Sequence, residues 1–342
     1  MHAAHTHEPD GADRIVDVAI VGAGNMGRNH ARVLSRLPGA RVAAVVDPDV
    51  GGAATELAAE HRVRAFGTID DLDVDVHAAI IATPSTEHHP IGVRLLERGI
   101  DVLVEKPMAS SVREARELVE TADRRGRILA IGHTERFNPV CIDLPRYVTE
   151  PIFIQARRLS ALSDRTYDGV IADMMIHDID LVLTIARIDD DPISVTAESL
   201  CPRSQTEDLA TATLRWESGL VAQLTASRVS QEKTREFEIL QPDSVVRADL
   251  LRQDLTICRK TQFELVDDGD RRLRQTTVVE MPYLSQRGEP LALELEDFCE
   301  AVATRRPPLV DGASGLRALT LATRITEAAA SAAGARSLTR SL

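Results

Sequence analysis

The 342-residue chain is long enough for two domains, and its 44% hydrophobic content is sufficient to form buried cores. Its 53 acidic and 40 basic residues give a formal net charge of −13, which disfavours nucleic acid as a partner because such a surface repels phosphate. The sequence contains no signal-peptide pattern and no apolar run of about 18 residues, so we expect a cytoplasmic protein without a membrane span.

The first part of the chain alternates short apolar runs with amphipathic stretches, after a tail at residues 1–13 that we expect to be disordered. The apolar runs are VDVAIVG (16–22), RVAAVVD (41–47), AAIIATP (78–84), DVLVEKP (101–107) and RILAIGH (127–133). Continuous apolar strands separated by helices predict a parallel sheet covered on both faces. We therefore predict an α/β fold that begins with a doubly wound Rossmann domain over residues 14–135.

The pattern changes after about Phe137. A helical stretch at 171–186 precedes a β-rich region at 209–260, and helical spacing returns at 292–306 and 315–333. Short polar breaks between the β-rich runs favour antiparallel pairing. Residues 136–342 are predicted to form an α+β domain with a large, mostly antiparallel sheet, for substrate binding and oligomerisation. Packing of its C-terminal helix against the first domain is left open.

A G-x-G-x-x-G match follows the first predicted strand and opens a predicted helix. In this context Gly22 permits a tight turn, Gly24 lets the backbone approach a pyrophosphate, and Gly27 allows close packing of helix on strand. Asn25 and Met26 lie within the same loop. Asp47 ends the second run, where a carboxylate can bind the adenosine ribose and repel a 2′-phosphate. The alternative is an Asp that caps the next turn, before Pro48. NAD is the predicted cofactor, in preference to NADP.

Two further segments end strands at the edge of the sheet where ligands bind in folds of this type. Thr83-Pro84 closes one strand and Glu105-Lys106-Pro107 closes the next. The chain has only three lysines and otherwise uses arginine, so a lysine at this position requires an explanation. It lies where a nicotinamide is expected.

These motifs resemble the Gfo/Idh/MocA oxidoreductases. The resemblance covers residues 15 to 332 and rests on VGAGNMG (21–27), ATPSTEHH (82–89), VEKP (104–107) and GVIADMMIHDID (169–180). It implies that Lys106 is catalytic, together with Asp173 and His177, which are spaced to share one helix face. It also implies that His88 and Glu105 belong to the cofactor site. Met175 departs from the family, many members of which have glycine there.

Four other segments are similar to the branch of this family that acts at C3 of UDP-N-acetylglucosamine. They are GHTERFNP (132–139), DGVIADMMIHDIDL (168–181), SRVSQEKTREFEI (227–239) and EPLALELEDF (289–298). Related branches act on inositols, free sugars and sugar phosphates, and motifs separate these substrates only loosely.

The chemistry can also be argued from the residues. Oxidation of a sugar hydroxyl needs a base for its proton, and histidine is suited to this role near neutral pH. An ammonium is a compact donor that stabilises the developing alkoxide better than a planar guanidinium does. We assign His177 as general base, Lys106 as the group that polarises the reacting oxygen, and Asp173 as an orienting residue. The alternatives are a core histidine and an Asp that caps the helix or pairs with an arginine.

Polar residues near the predicted crevice are candidate substrate contacts, with surface salt bridging as the main alternative for the two arginines. They are Arg136, Asn138, Arg158 and Tyr167. No metal site is expected, because the cysteines are far apart and the paired histidines at 88 and 89 lack partners at ligand spacing.

The leading hypothesis is an NAD-dependent dehydrogenase that oxidises a ring secondary alcohol, at C3 of a nucleotide sugar such as UDP-N-acetylglucosamine. The alternatives are an inositol or sugar-phosphate dehydrogenase, a 3-ketosugar reductase, and a non-catalytic NAD-binding regulator. We also expect a homodimer or homotetramer, because Leu220, Ala222 and Leu224 would otherwise face water on one side of the second sheet.

Overall fold

The computed structural model describes residues 15–161, 168–267 and 271–339. For 260–276 and 333–339 within these ranges it describes the backbone alone. The N-terminal tail predicted at residues 1–13 lies outside the described residues, and so does Tyr167.

The chain up to Thr134 builds a parallel α/β unit. Its strands are β1 (Val16–Val21), β2 (Ala40–Val46), β3 (Arg64–Phe66), β4 (Ala78–Ile81), β5 (Asp101–Glu105) and β6 (Leu129–Gly132). Its helices are α1 (Asn25–Leu34), α2 (Ala53–His61), α3 (Ser85–Glu97) and α4 (Val112–Arg125). Among the described residues the strands pair in the order β3-β2-β1-β4-β5-β6, and every pairing is parallel. The predicted Rossmann sheet is confirmed, and its short strand β3 is an addition.

Residues 135–288 form a second sheet with few helices. After short helical turns at Thr134–Phe137 and Leu144–Arg146 and helix α5 (Pro139–Asp143), strand β7 (Phe153–Leu159) leads to a π-helical turn (Ile171–Met175) and helix α6 (Ile176–Ile185). The remaining strands are β8 (Ser194–Leu200), β9 (Leu209–Arg215), β10 (Val221–Ser227), β11 (Thr234–Leu240), β12 (Ser244–Asp249), β13 (Asp254–Asp267) and β14 (Arg271–Glu280). Helices α7 (Pro290–Thr304) and α8 (Gly312–Thr339) end the chain.

The second sheet has the order β14-β13-β12-β11-β7-β10-β9-β8 within the described residues. Its pairings are antiparallel except that of β7 with β10. Burial alternates along β7, β9 and β10, as expected when one face of a sheet is covered. The predicted mostly antiparallel sheet is therefore confirmed.

The prediction that apolar residues of the second sheet would face water in a single chain is wrong. Leu220, Ala222 and Leu224 are 4%, 0% and 0% exposed, because the π-helical turn and α6 pack against β10. The inward-facing residues of this strand thus belong to the core of the second unit and leave no apolar stripe in water.

Contacts between residues divide the chain into two compact units at slightly different points from the predicted domain boundaries. The first unit contains the described residues up to Thr134 together with Glu289–Leu316, and the second contains Glu135–Gly288 and the chain from Arg317 onward. Helix α7 joins the first unit because Leu295 and Phe298 are buried in the core cluster that contains Val18 and Leu34. Helical spacing alone cannot show which sheet a helix will cover.

No helix within the described part of the chain has both the length and the apolar character needed to cross a bilayer.

Candidate active site

The glycine loop between β1 and α1 is shaped by two tightly packed glycines and one open glycine. Gly22 has φ +101°, and an added Cβ would lie 2.6 Å from the carbonyl oxygen of Ala82. At Gly27 an added Cβ would overlap the carbonyl oxygen of Gly22. Around Gly24, by contrast, no described atom lies within 4 Å of an added Cβ. The loop is therefore closed toward the sheet and open on its outer side.

Helix α1 begins directly after this open position. Gly24, Asn25 and Met26 are exposed, and within the described residues no side chain caps the helix. The first N–H groups of a helix lack intrahelical partners and lie at the positive end of its dipole, so they favour an anion. A dinucleotide pyrophosphate fits this arrangement of open glycine and uncapped helix, and the backbone of residues 24–26 would hold it.

Asp47 follows β2, and its carboxylate both caps the next turn, as in the alternative interpretation, and holds the glycine loop, which the sequence did not reveal. Its Oδ2 accepts a hydrogen bond from the Ala23 N–H at 2.8 Å, and its Oδ1 accepts one from the Asp49 N–H at 2.9 Å. The carboxylate thus anchors the glycine loop to the end of β2. An ionised carboxylate offers about four acceptor positions, so capacity for ribose hydroxyls is left after these two bonds.

His88 is buried rather than open to a ligand, with an exposed fraction of 1%. Its Nε2 lies 2.9 Å from the carbonyl oxygen of Thr83, and its Nδ1 lies 2.8 Å from that of Pro107. Both oxygens are hydrogen-bond acceptors, so these contacts hold the ring between the two segments. His88 therefore joins the segments that follow β4 and β5, which replaces the direct cofactor contact expected for it. Thr83 is half-buried and Pro84 is exposed in the same region.

Glu105 and Lys106 differ in their surroundings although they are neighbours in sequence. Glu105 is buried, and its Oε1 lies 2.7 Å from Nε2 of His30 on α1. Lys106 is half-buried just beyond the end of β5, and its peptide bond to Pro107 is cis. Glu105 thus faces the interior of the unit rather than a cofactor, whereas Lys106 retains access to its surface.

In the second unit, Asp173 and His177 lie where an irregular helix begins. Asp173 belongs to the π-helical turn and His177 to the first turn of α6. Such turns are frequent at functional sites. Both side chains are half-buried, whereas Met175 and Ile176 between them are buried. The two predicted catalytic residues therefore share the less buried side of this helix.

The entry into this helix is tied to Glu207. The N–H of Val170 donates to the carbonyl oxygen of Glu207 at 3.0 Å, and the carboxylate end of the same residue lies beside Gly169. The backbone hydrogen bond thus holds the start of the helix that carries Asp173 and His177.

Arg158 lies in a buried ionic cluster. Its guanidinium donates to Asp178 at 2.6 Å and to Glu135 at 2.9 Å. Arg235 adds a second guanidinium 2.6 Å from Glu135. Arg158 is 4% exposed, so its contacts are those of a structural residue and not those of the expected substrate contact.

The other two described candidates for substrate contact, Asn138 and Arg136, differ in burial and in hydrogen-bond partners. Asn138 is buried; its side chain accepts the Val140 N–H at the start of α5 and donates to the carbonyl oxygen of Leu250 at 2.9 Å, again as a structural residue. Arg136 donates to Asp180 at 2.8 Å and is less completely buried than Arg158. Among the three described candidates, Arg136 is thus the most exposed.

Electrostatics in the ionic cluster follow from burial and pairing. Burial raises the pKa of Glu135, but the charges of Arg158 and Arg235 outweigh it and leave that pKa below its ordinary value. Burial raises the pKa of Asp178 although Arg158 opposes the shift. The pKa of Arg158 is raised by the two carboxylates despite its burial. The cluster is thus a set of carboxylates and guanidinium groups whose charges compensate one another.

Comparisons with known proteins agree with this architecture. A family model described as an oxidoreductase family with an NAD-binding Rossmann fold matches residues 16–133, and a model of the GFO/IDH/MocA C-terminal domain matches residues 146–241. UDP-N-acetylglucosamine 3-dehydrogenase from Acidithiobacillus ferrooxidans is 34% identical over 312 residues, which are 90% of this chain and 95% of that protein. The chain belongs to the Gfo/Idh/MocA oxidoreductase family. It is accordingly an oxidoreductase that acts on CH–OH groups, and its first unit is the NAD-binding domain.

Other members of the Gfo/Idh/MocA family support the same conclusion. A crystal form of the Acidithiobacillus ferrooxidans enzyme superposes with a TM-score of 0.81 at 33% identity and covers 92% of this chain and 97% of that one. The scyllo-inositol 2-dehydrogenase (NAD(+)) of Bacillus subtilis is 25% identical, over 86% of this chain and 88% of that protein.

Sequence reasoning missed several buried ionisable residues of this family member. His30 and Glu294 in the first unit, and Glu135 and Asp178 in the second, have partners distant in sequence. The only sequence signal for them is a charged residue on an otherwise apolar helix face, which is too common to single them out.

Proposed function

We propose that the protein oxidises the C3 hydroxyl of a nucleotide sugar such as UDP-N-acetylglucosamine to the ketone. The observation that carries this proposal is the 34% identity to an enzyme with that name along 90% of the chain. The scyllo-inositol 2-dehydrogenase is less similar over a comparable length, at 25% identity and 86% coverage, and inositol 2-dehydrogenase 4 of Saccharopolyspora erythraea, at 34% identity, matches 49% of this chain. These enzymes define the alternative substrates.

The proposed chemistry divides among three side chains. His177 takes the hydroxyl proton, Asp173 orients the base, and Lys106 donates a hydrogen bond to the oxygen as negative charge develops on it. NAD supplies the hydride acceptor. The reaction releases one ketone, one reduced cofactor and one proton for each alcohol oxidised.

The cofactor preference is part of the proposal. The exposed N-terminus of α1 holds the pyrophosphate, and Asp47 accepts the ribose hydroxyls and repels a 2′-phosphate. NAD is therefore preferred to NADP.

We further propose a cytoplasmic homo-oligomer. Val279, Met281 and Tyr283 are 55%, 76% and 95% exposed at the end of the edge strand β14, and exposed apolar residues on an edge mark an interface. The cysteines Cys141, Cys201, Cys258 and Cys299 are free thiols, which suits a reducing compartment. Light scattering that gives the mass of a single chain at micromolar concentration would contradict the oligomer.

The first experiment is a substrate panel with NAD, in which reduced nicotinamide is followed by absorbance. UDP-N-acetylglucosamine should be turned over, with a product two hydrogens lighter by mass spectrometry. Turnover of inositols with no turnover of the nucleotide sugar would select the alternative substrate class. If no sugar or inositol is oxidised although NAD binds, the regulator hypothesis replaces the enzyme.

The second experiment replaces Lys106. Lys106→Arg keeps a positive charge but presents a planar fork, so we expect turnover to fall by about 100- to 1,000-fold, nearly as far as in Lys106→Ala. Lys233→Arg, at an exposed lysine, is the matched control and should keep normal turnover. Circular dichroism checks the fold of each variant. Near-normal turnover of folded Lys106→Arg would remove the role given to this lysine.

A further inference from the structure

The first unit contains a buried group of ionisable side chains that the proposed chemistry does not use. We call His30, Glu105 and Glu294 the Glu105 cluster. They come from α1, from the end of β5 and from α7, and all three are at most 6% exposed. His30 Nε2 lies 2.7 Å from Glu105 Oε1, and the Thr134 hydroxyl donates to Glu294 Oε2 at 3.2 Å.

A glycine makes room for the central carboxylate. Gly132 in β6 pairs with Glu105, and a Cβ added to Gly132 would lie 3.0 Å from Oε2 of Glu105 and 3.1 Å from its Cα. Both contacts are tighter than ordinary van der Waals distances. An alanine there would therefore push against the Glu105 carboxylate. The absence of a side chain on β6 leaves the space that this carboxylate occupies.

The pKa values of the two carboxyl groups of the cluster are shifted in opposite directions. Burial raises the pKa of Glu105, but the hydrogen bond from His30 and the charges of His30 and Lys106 outweigh burial, so this pKa lies below its ordinary value. Burial and the negative charge of Glu105 raise the pKa of Glu294 well above its ordinary value, with Asp297 as a further contributor. These surroundings therefore favour the ionised form of Glu105 and the protonated form of Glu294.

Glu105 also contacts the residue to which we assign the chemistry. The backbone N–H of Lys106 donates to Oε2 of Glu105 at 3.3 Å, and the ammonium of Lys106 helps to keep Glu105 ionised. Electrostatic attraction is mutual, so the carboxylate and the ammonium attract each other. On the other side, His88 holds the carbonyl of Pro107 at 2.8 Å. The backbone that carries Lys106 is thus held from two directions.

We propose that Glu105 is a positioning residue for Lys106. Held by His30, Glu105 fixes the place of the Lys106 backbone and attracts the ammonium, without touching NAD or substrate. This inference rests on the proposed function only for the effect on turnover. Its electrostatic part can be measured on the protein alone. Within the cluster, Glu105 faces His30 from α1 and the charge of Lys106, and Glu294 from α7 faces Glu105 and Asp297.

The small number of lysines makes a direct test practical. Reductive methylation with isotope-labelled formaldehyde places reporter methyl groups on Lys106, Lys233 and Lys260, and Lys106→Arg identifies which NMR signal belongs to Lys106. In Glu105→Gln that signal should titrate at lower pH than in the unmodified protein, because the neutral amide no longer favours the ammonium. The Lys233 signal should be unchanged.

A matched control lies at the other end of the same strand. Asp101 is buried, pairs with Arg305 and accepts the Ile128 N–H at 2.8 Å. Asp101→Asn removes an equally buried charge and should lower stability without moving the Lys106 signal. If Glu105→Gln leaves the signal in place, or if Asp101→Asn moves it as far, the inference is overturned.

Turnover supplies the second readout once a substrate is identified. Glu105→Gln should lower kcat by about 10- to 100-fold, the scale of a misplaced group near the reacting atoms, while KM and NAD affinity change little. The alkaline limb of its pH–rate profile should move to lower pH. Absence of sugar turnover in the unmodified protein would contradict the proposed function alone, because the NMR titration still decides the role of Glu105.

Discussion

Each unit of this protein buries a cluster of carboxylates, and the two clusters are compensated in different ways. In the second unit, Glu135 and Asp178 face the guanidinium groups of Arg158 and Arg235 at distances of 2.6 to 2.9 Å. In the described part of the first unit, Glu105 and Glu294 contact an imidazole and a hydroxyl, with no guanidinium. Guanidinium groups pair with the carboxylates of one cluster, whereas the surroundings of Glu294 in the other favour its protonated form.

The difference separates a structural use of buried charge from a functional one. Removing a buried ion from water is costly, and several strong hydrogen bonds are needed to offset that cost. Arg158 provides such bonds and joins β7 to α6. In the Glu105 cluster no guanidinium faces the carboxylates within the described residues. Part of the compensating positive charge comes instead from the ammonium of Lys106. Perturbed ionisation of this kind concentrates at functional sites.

The largest effect on stability is expected at Arg158. Arg158→Met leaves Glu135 and Asp178 buried without their shared partner, so the free energy of unfolding should fall by about 3 to 5 kcal/mol. Urea unfolding followed by circular dichroism measures it. The matched control is Arg157→Met on the same strand, where the side chain is exposed and pairs with Glu236 at 3.7 Å. That change should cost less than about 1 kcal/mol. Equal losses in the two variants would show that burial of the cluster adds nothing.

A smaller, pH-dependent effect is expected at Glu294. Its pKa is raised above the ordinary value of 4.5, so above pH 4.5 the folded protein retains a proton that the unfolded chain releases, and stability falls as pH rises. Glu294→Gln has no such proton. Its stability relative to the unmodified protein should therefore rise by about 1.4 kcal/mol per pH unit from about pH 5 upward, until the raised pKa is passed.

The measurement is urea unfolding of both proteins over that pH range. Glu296→Gln, an exposed position two residues along the same helix, is the control and should show the pH dependence of the unmodified protein. A constant difference between Glu294→Gln and the unmodified protein at every pH would mean that Glu294 is ionised in the fold, and the contrast between the two clusters would be lost.

The sequence predicted those parts of the molecule that depend on local pattern. Apolar runs gave the strands of the parallel sheet, and the spacing of Gly22, Gly24 and Gly27 gave the loop whose packing the structure shows. The pairing of His30 with Glu105, 75 residues apart, and of Thr134 with Glu294, 160 residues apart, has no local signature. The burial of Arg158 and the inward position of Leu224 likewise depend on which elements pack against β7 and β10.

Asp47 combines a structural role with a proposed functional role, and its replacement is expected to have the smallest effect, a change in the ratio of NAD to NADP affinity. Its carboxylate is half-buried and bonds only backbone N–H groups, those of Ala23 and Asp49, in the described structure. Asp47→Asn keeps one acceptor oxygen for the loop but removes the negative charge. We therefore expect NAD to bind at least about tenfold tighter than NADP to the unmodified protein, and this ratio to shrink by about tenfold, or 1.4 kcal/mol, in Asp47→Asn.

Calorimetric titration with both dinucleotides measures the ratio, and Asp49→Asn is its matched control. Asp49 is exposed, and its Oδ2 accepts the Ala53 N–H at 3.0 Å at the start of α2, so its replacement should weaken both dinucleotides equally or not at all. If Asp47→Asn also weakens NAD and NADP by the same factor, anchoring of the glycine loop is the whole role of this carboxylate. In that case Asp47 belongs with the structural charges of the second unit rather than with Glu105.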